Sequence, residues 1–219
     1  MAGFAIPDEV DPRRPVMRED TADALLTVAP GVHPVLPLLI VLVGSTGRRL
    51  SSVLGLRWTN IDFERCTIRW RAELDKSRKT WQSPLPEVAA TALRDRQQSV
   101  EWRNSPYLFP APKNSTVPAT RYLAAGWLKR AYRLAGVEKE PGGLWHPFRR
   151  KWATDRKHYP VTDVAAAGGW RDINTLLTCY QHPDSATMRA VVELKPFGKN
   201  VHTNVHTSAI SETGATQQR

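Results

Sequence analysis

The stretch His146-Pro147-Phe148-Arg149-Arg150-Lys151-Trp152-Ala153-Thr154 sets an imidazole and a guanidinium three residues apart, and residues so spaced share one face of a helix. Pro147 suits the first turn of that helix, where its missing N–H would have had no partner. Phe148 and Trp152, four apart, form a separate apolar stripe that can anchor the helix in a core. A held imidazole beside a held guanidinium at a helix start suits an anion, and a phosphate most of all. A surface helix with spare charges is the competing reading, and this stretch alone does not choose between them.

Further stretches add chemistry-bearing side chains. In Ser45-Thr46-Gly47-Arg48-Arg49-Leu50-Ser51-Ser52-Val53-Leu54-Gly55-Leu56-Arg57-Trp58, a glycine turn followed by a helix puts Arg49 at the helix start, facing away from Leu50 and Val53. Cys66-Thr67-Ile68-Arg69-Trp70-Arg71 alternates and is rich in β-formers, Asp75-Lys76-Ser77-Arg78-Lys79 is a polar turn, and Trp81 to Leu85 can return as a second strand. The result is a hairpin with a very basic tip that includes Lys76. Gly168-Gly169-Trp170 is followed ten residues later by Tyr180, within Thr178-Cys179-Tyr180-Gln181-His182. In chain order the set reads Arg, Lys, His-x-x-Arg, Trp, Tyr.

The totals narrow the partners. The chain has 219 residues, 41% hydrophobic and 24% charged, which is enough for one good-sized domain with tails. Its net charge of +10 and pI of about 10.0 point to nucleic acid or an anionic membrane. The longest apolar run, Val35 to Val43, contains Pro37 and is too short to span a bilayer. The first residues carry Asp8, Glu9, Asp11, Arg13 and Arg14, with no apolar signal core. Cys66 and Cys179 are the only cysteines, so no disulfide framework is expected and a cytoplasmic setting is the default. Asp62, Glu64, Glu73 and Asp75 cluster in sequence but flank strands, and no histidine or distant carboxylate completes a nuclease metal site. The Val-His-Thr copies at 201 and 205 likewise find no further ligands.

The elements that must position these side chains can be read in order. Residues 1–18 are polar and proline-rich, an arm or linker. Glu19 to Thr27 is helical, with Pro30-Gly31 closing it. His33 to Gly47 is an almost wholly apolar central helix, with His33 in a structural or solvated role. Leu50 to Leu56 is a short helix with Ser51 or Ser52 near its cap. Pro86 starts a helix that runs to about Arg103. Pro106 to Pro118 is a four-proline loop in which Tyr107-Leu108-Phe109 is a short buried piece. Thr120 to Ala135 is a strong helix ended by Gly136. Val161 to Ala167, Asp172 to His182 and Asp184 to Leu194 are further helices, and from Lys195 the composition turns polar and small. The expected class is mainly α with a small antiparallel hairpin, one domain over 19–194 and a disordered tail over 195–219.

Taken together, these motifs resemble the catalytic domain of tyrosine recombinases, the phage integrase family. Its Thr-Gly-x-Arg-x-Ser box is similar to Thr46-Gly47-Arg48-Arg49-Leu50-Ser51, its hairpin lysine to Lys76, its His-x-x-Arg box to His146 and Arg149, its Gly-His/Trp position to Gly169-Trp170, and its nucleophile to Tyr180. Each motif is short, and the weight lies in all of them occurring in order over Glu19 to Leu194. Ser52 stands where the family usually has Glu or Asp, Trp170 replaces the commoner His, and the arm is too short for the core-binding domain that usually precedes. The resemblance implies that Arg49 and Arg149 grip the non-bridging phosphate oxygens, Trp170 adds an indole donor, and His146 donates or helps move the tyrosine proton. Tyr180 attacks phosphorus, and Lys76, favoured over Lys79 by register, is the acid for the departing 5′ oxygen. The covalent phosphotyrosine stores the bond energy, so neither ATP nor metal nor other cofactor is expected. Double-stranded DNA and other protomers in a DNA-bound synaptic assembly are the implied partners, with no membrane. Arg48, Arg57, Arg150 and Lys151 read as phosphate-backbone contacts or solvated charges. A type IB topoisomerase-like strand transferase and a non-catalytic DNA-binding module of the same fold are the alternatives.

Overall fold

The computed structural model describes residues 15–74, 80–98, 105–181 and 185–193. Its centre is α2 (Leu36–Thr46), whose Leu36, Leu38, Leu39, Ile40, Leu42 and Val43 are all buried. A helix apolar all round has to be enclosed, and α1 (Glu19–Val32), α3 (Leu50–Leu54), α4 (Glu87–Gln98), α5 (Arg121–Ala135) and α6 (His146–Thr154) pack around it. Each fully buried leucine there stabilises the fold by roughly 2 kcal/mol. Helix α2 begins later than expected. Residues 33–35 form a turn in which His33 Nδ1 accepts from the Val35 N–H (3.3 Å) and the His33 ring stacks on Trp127 at 4.0 Å, a structural role.

Helix α1 continues through Pro30 and Gly31 to Val32, contrary to the expected stop. The buried line Thr21, Leu25, Ala29 holds it in place, and His33 N still donates to Ala29 O at 3.1 Å. A proline this close to a helix end removes one hydrogen bond from the ladder, and the packed face outweighs it. Helix α3 is capped by Arg49 rather than by a serine, and Ser52 is buried. Helix α5 begins at the Thr120 cap, whose hydroxyl accepts from the Leu123 N–H, and ends at Gly136 in the left-handed region.

The hairpin strands β2 (Thr67–Trp70) and β3 (Trp81–Pro84) pair as expected, with Ile68 opposite Ser83 and Trp70 opposite Trp81. They are joined by an edge strand, β1 (Ile61–Asp62), to give the antiparallel order β1-β2-β3. The basic tip, with Lys76 and Lys79, lies outside the described residues, as do residues 99–104 at the expected end of α4. The four-proline stretch is not all loop. Its β4 (Pro110–Ala111) and β5 (Asn114–Pro118) form a second two-stranded sheet, and Leu108 and Phe109 are fully buried just before it.

A smaller apolar cluster gathers Trp152, Ala153, Val164, Ala165, Trp170 and Leu176 from α6, α7 (Val161–Gly168) and α8 (Ile173–Tyr180). The two aromatic anchors of α6 therefore serve different cores: Phe148 enters the main one and Trp152 the smaller one. The end of the expected arm lies on α6 as well, with Met17 buried, its N–H donating to Pro147 O at 3.1 Å. A separate unit carries α9 (Ser185–Val192). Among the described residues no helix is long and apolar enough to cross a membrane.

Candidate active site

The site is built where two helices end. Helix α2 terminates at Gly47, whose φ of +63° is the left-handed conformation that glycine adopts without strain. The next two residues diverge. Both border one cleft, but Arg48 turns inward and is 2% exposed, whereas Arg49, extended at the cap of α3, is half-buried. Helix α7 ends at Gly168 with Gly169 at φ +70°, and Trp170 follows.

Arg149 lies between these helix ends. Its Nη1 donates to the carbonyls of Gly47 and of Gly168, the latter at 2.6 Å. Carbonyls at helix C-termini carry partial negative charge and lack partners in their own helix, so one guanidinium satisfies two of them. Arg149 is 4% exposed, with its Cζ 3.4 Å from the centroid of the Trp170 ring. Trp170 also stacks on Trp152 at 5.9 Å, and Trp152 donates its indole N–H to Ser45 O at 2.8 Å. No side chain fits at these glycines. A Cβ on Gly47 would come within 2.4 Å of the Trp152 ring, and one on Gly168 within 2.0 Å of the Trp170 ring.

A cleft of about 490 Å³ opens beside this cluster, and Arg49, His146 and Arg149 all line it, with Arg48, Ser51, Arg121 and Trp145. Three of the expected site residues thus share one cavity. His146 is exposed and Arg149 buried, one at the mouth and one in the wall. Tyr180, the last residue of α8, packs its ring edge-on against Trp170 at 5.5 Å, and Thr154 Oγ1 donates to its carbonyl at 2.9 Å. Arg149, Trp170 and Tyr180 therefore form a continuous row of contacts, although Tyr180 is not among the residues that line the cleft. Helix α8 starts at Asp172, whose carboxylate accepts from the N–H groups of Asn174 and Thr175. The hydrogen bond from the Thr175 hydroxyl and the one from the Asn174 N–H hold its carboxyl below the usual range.

Several expectations change here. Arg48 does not read as a phosphate contact: its Nε and Nη2 donate to Ala167 O (3.0 Å) and Ala166 O (3.1 Å). Arg150 is buried and holds the carbonyls of Pro15, Pro141 and Gly142. Arg57 donates to the Tyr107 hydroxyl at 3.0 Å and lies over its ring. Lys151 pairs with Glu19 and Asp155. Arg48, Arg57, Arg150 and Lys151 each have at least one partner distant in sequence (Ala167, Tyr107, Pro15 and Glu19 respectively), which a one-dimensional reading does not show. Among the acidic residues, Asp62 accepts from the N–H groups of Glu64 and Arg65 in its own turn, and Glu73 pairs with Arg71 at 2.9 Å. Arg121, the added cation of the cleft, was missed. Its only sequence signal is its place directly after the Thr120 cap.

The fold has known counterparts. The crystal structure of XerA recombinase matches with a TM-score of 0.64 at 18% identity, covering 85% of this chain and 67% of that one. The Tn1549 transposon integrase, in complex with a circular intermediate DNA, matches at 0.66 and 17%, covering 86% and 67%. The catalytic domain of bacteriophage HP1 integrase matches at 0.57 and 18%, covering 84% of this chain and 96% of that one. The chain spans about two thirds of the length of the first two. No curated protein sequence matches. The fold is that of tyrosine recombinase catalytic domains, and the sequence profile of the phage integrase family matches residues 15–187, so the chain belongs to the phage integrase family.

Proposed function

We propose that this protein is a site-specific recombinase that cuts and rejoins double-stranded DNA through a 3′-phosphotyrosine intermediate, with residues 19–194 as its catalytic domain. The observation that carries this is the convergence of Arg49, His146 and Arg149 on one cleft, with Arg149 stacked on Trp170 and Tyr180 edge-on against Trp170. Attack on a phosphodiester concentrates charge on its non-bridging oxygens, and preorganised cations offset that charge where it develops. Arg149 is suited to this, because its bonds to two carbonyls fix the guanidinium before DNA arrives. Arg49 supplies the second guanidinium, whose planar fork matches phosphate oxygens. With His146 to take its proton beside a phosphate held by arginines, the Tyr180 oxygen can act as the nucleophile.

In the proposed step the Tyr180 oxygen forms a bond to phosphorus while the bond from phosphorus to the 5′ oxygen breaks. That oxygen takes a proton from Lys76, and the reverse step lets a 5′ hydroxyl of the same or another strand displace the tyrosine. Number and energy of bonds are conserved, so strand joining needs no outside energy source. The segment after Tyr180, with Met188, Val191 and Val192 of α9, is proposed to engage a neighbouring protomer in the DNA-bound assembly.

The test is a nicked duplex from whose cleavage point a short strand diffuses away, incubated with the full chain and a library of candidate sites. A covalent protein–DNA band that resists denaturant supports the reading. DNA bound tightly across the library with no covalent band on any member would reduce the chain to a DNA-binding module.

A further inference from the structure

Arg48 borders the cleft yet is only 2% exposed, and its side chain is spent on contacts to two other elements of the proposed machinery. Its Nε and Nη2 hold the carbonyls of Ala167 and Ala166 at 3.0 and 3.1 Å, in the last turn of α7. Its Cζ lies 4.9 Å from the ring centroid of Trp70 in β2, and Trp70 in turn donates to Ser83 Oγ of β3 at 2.8 Å. Its backbone joins Gly47, whose carbonyl accepts from Arg149, to Arg49.

We infer that Arg48 is a positioning residue. It ties the end of α7, the β2–β3 hairpin and the turn after α2 into one body, and so sets where Arg49, Arg149 and Trp170 stand and how the strands that lead to Lys76 are anchored. The division of labour at α7 supports this. Arg48 takes the carbonyls of Ala166 and Ala167, and Arg149 takes that of Gly168, the next one along. Two guanidiniums thus cover the helix end together, Ala166 O accepting from the Gly169 N–H as well at 3.3 Å. Gly169 keeps the approach open, because a Cβ there would lie 2.1 Å from Arg48 Nη1. A planar fork with several donors can bridge two adjacent carbonyls and still stack on an indole, whereas a lysine offers a point charge.

This inference rests on the proposed cleavage reaction for its kinetic consequence but not for its structural one, and the experiment separates the two. Arg48→Lys and Arg48→Met are compared with the natural chain in single-turnover adduct formation at saturating DNA, in DNA affinity across a salt titration, and in amide hydrogen exchange. Adduct formation is expected to slow tenfold or more in Arg48→Met and less in Arg48→Lys, with affinity within about twofold and the salt slope unchanged. Exchange is expected to speed up over 165–171 and over 67–70, and to stay the same in α1 and α5. A salt slope shallower by about one phosphate's worth, roughly 0.9, would make Arg48 a DNA contact and overturn the inference. Unchanged adduct rates in both variants would overturn it as well. If Arg48→Met does not fold, Arg48→Lys carries the comparison alone. If the natural chain forms no adduct, the cleavage reading fails by itself, and unaltered exchange at 165–171 in the variants is then the result that overturns the tie.

Discussion

Gly47→Ala concentrates several demands of the site in one methyl group. The residue sits at φ +63°, and the added Cβ would lie 2.4 Å from two carbons of the Trp152 ring. Holding an L-residue in the left-handed region costs roughly 1–2 kcal/mol, and forcing a methyl group into packed aromatic surface costs roughly 1–3 kcal/mol more. The ring has little room to give, because its N–H is bonded to Ser45 O and its face is stacked on Trp170. The expected loss is therefore about 2–5 kcal/mol out of a typical 5–15, or a fall in Tm of roughly 4–20 °C for a chain of this size. Urea denaturation followed by tryptophan fluorescence and by circular dichroism measures it. The carbonyl of Gly47 accepts from Arg149, so adduct formation should slow in whatever fraction remains folded. A loss below about 1 kcal/mol, with cleavage intact, would refute the packing argument.

Other perturbations have equally definite outcomes. Arg149→Ala should lower stability as well as abolish cleavage, by about 2–5 kcal/mol from two charged hydrogen bonds lost and two buried carbonyls left open; a chain as stable as the natural one would show that the carbonyl clamp is not formed. Burial, and then the charge of Arg96, hold the pKa of His33 below 6.5. The folded state therefore resists a proton that the unfolded chain accepts, so stability should fall as pH drops below about 6.5; in His33→Gln that fall should shrink, as read from denaturation midpoints at pH 7 and 5. Lys76→Ala should slow strand cleavage, and a substrate carrying a better leaving group in place of the 5′ oxygen should restore much of the rate; equal slowing on both substrates would remove Lys76 as the acid.

The sequence made some of this legible for identifiable reasons. Helix α5 is bracketed by a Thr cap and a C-terminal glycine, both local signals, and its ends fall where they predict. The hairpin strands follow from alternation and β-formers, and their pairing agrees. The His146–Arg149 face was readable because helical periodicity is local. What failed was what depends on distant partners. Arg48 and Arg49 are neighbours in one box, and only the carbonyls at 166 and 167, 118 and 119 residues away, decide which of them faces inward. The same holds for Arg150, drawn to the carbonyl of Pro15, 135 residues away. Strands β4 and β5 escaped because prolines read as loop, although short two-stranded edges tolerate them. Pro30 misled for the reverse reason: a strong local stop signal was overridden by the buried line of α1.

The central claim is that one side chain, Tyr180, makes the covalent bond to DNA. The most direct measurement is to trap the adduct formed by the natural chain, digest both partners, and locate the nucleotide-bearing peptide by mass spectrometry beside a parallel reaction of Tyr180→Phe. The variant loses only a hydroxyl from a ring packed on Trp170, so it should fold and bind DNA as before. The predicted result is a nucleotide on Tyr180 in the natural chain and no adduct at all in the variant. An adduct retained by Tyr180→Phe, or a nucleotide on Tyr107, Tyr122, Tyr132 or Tyr159, would contradict the account.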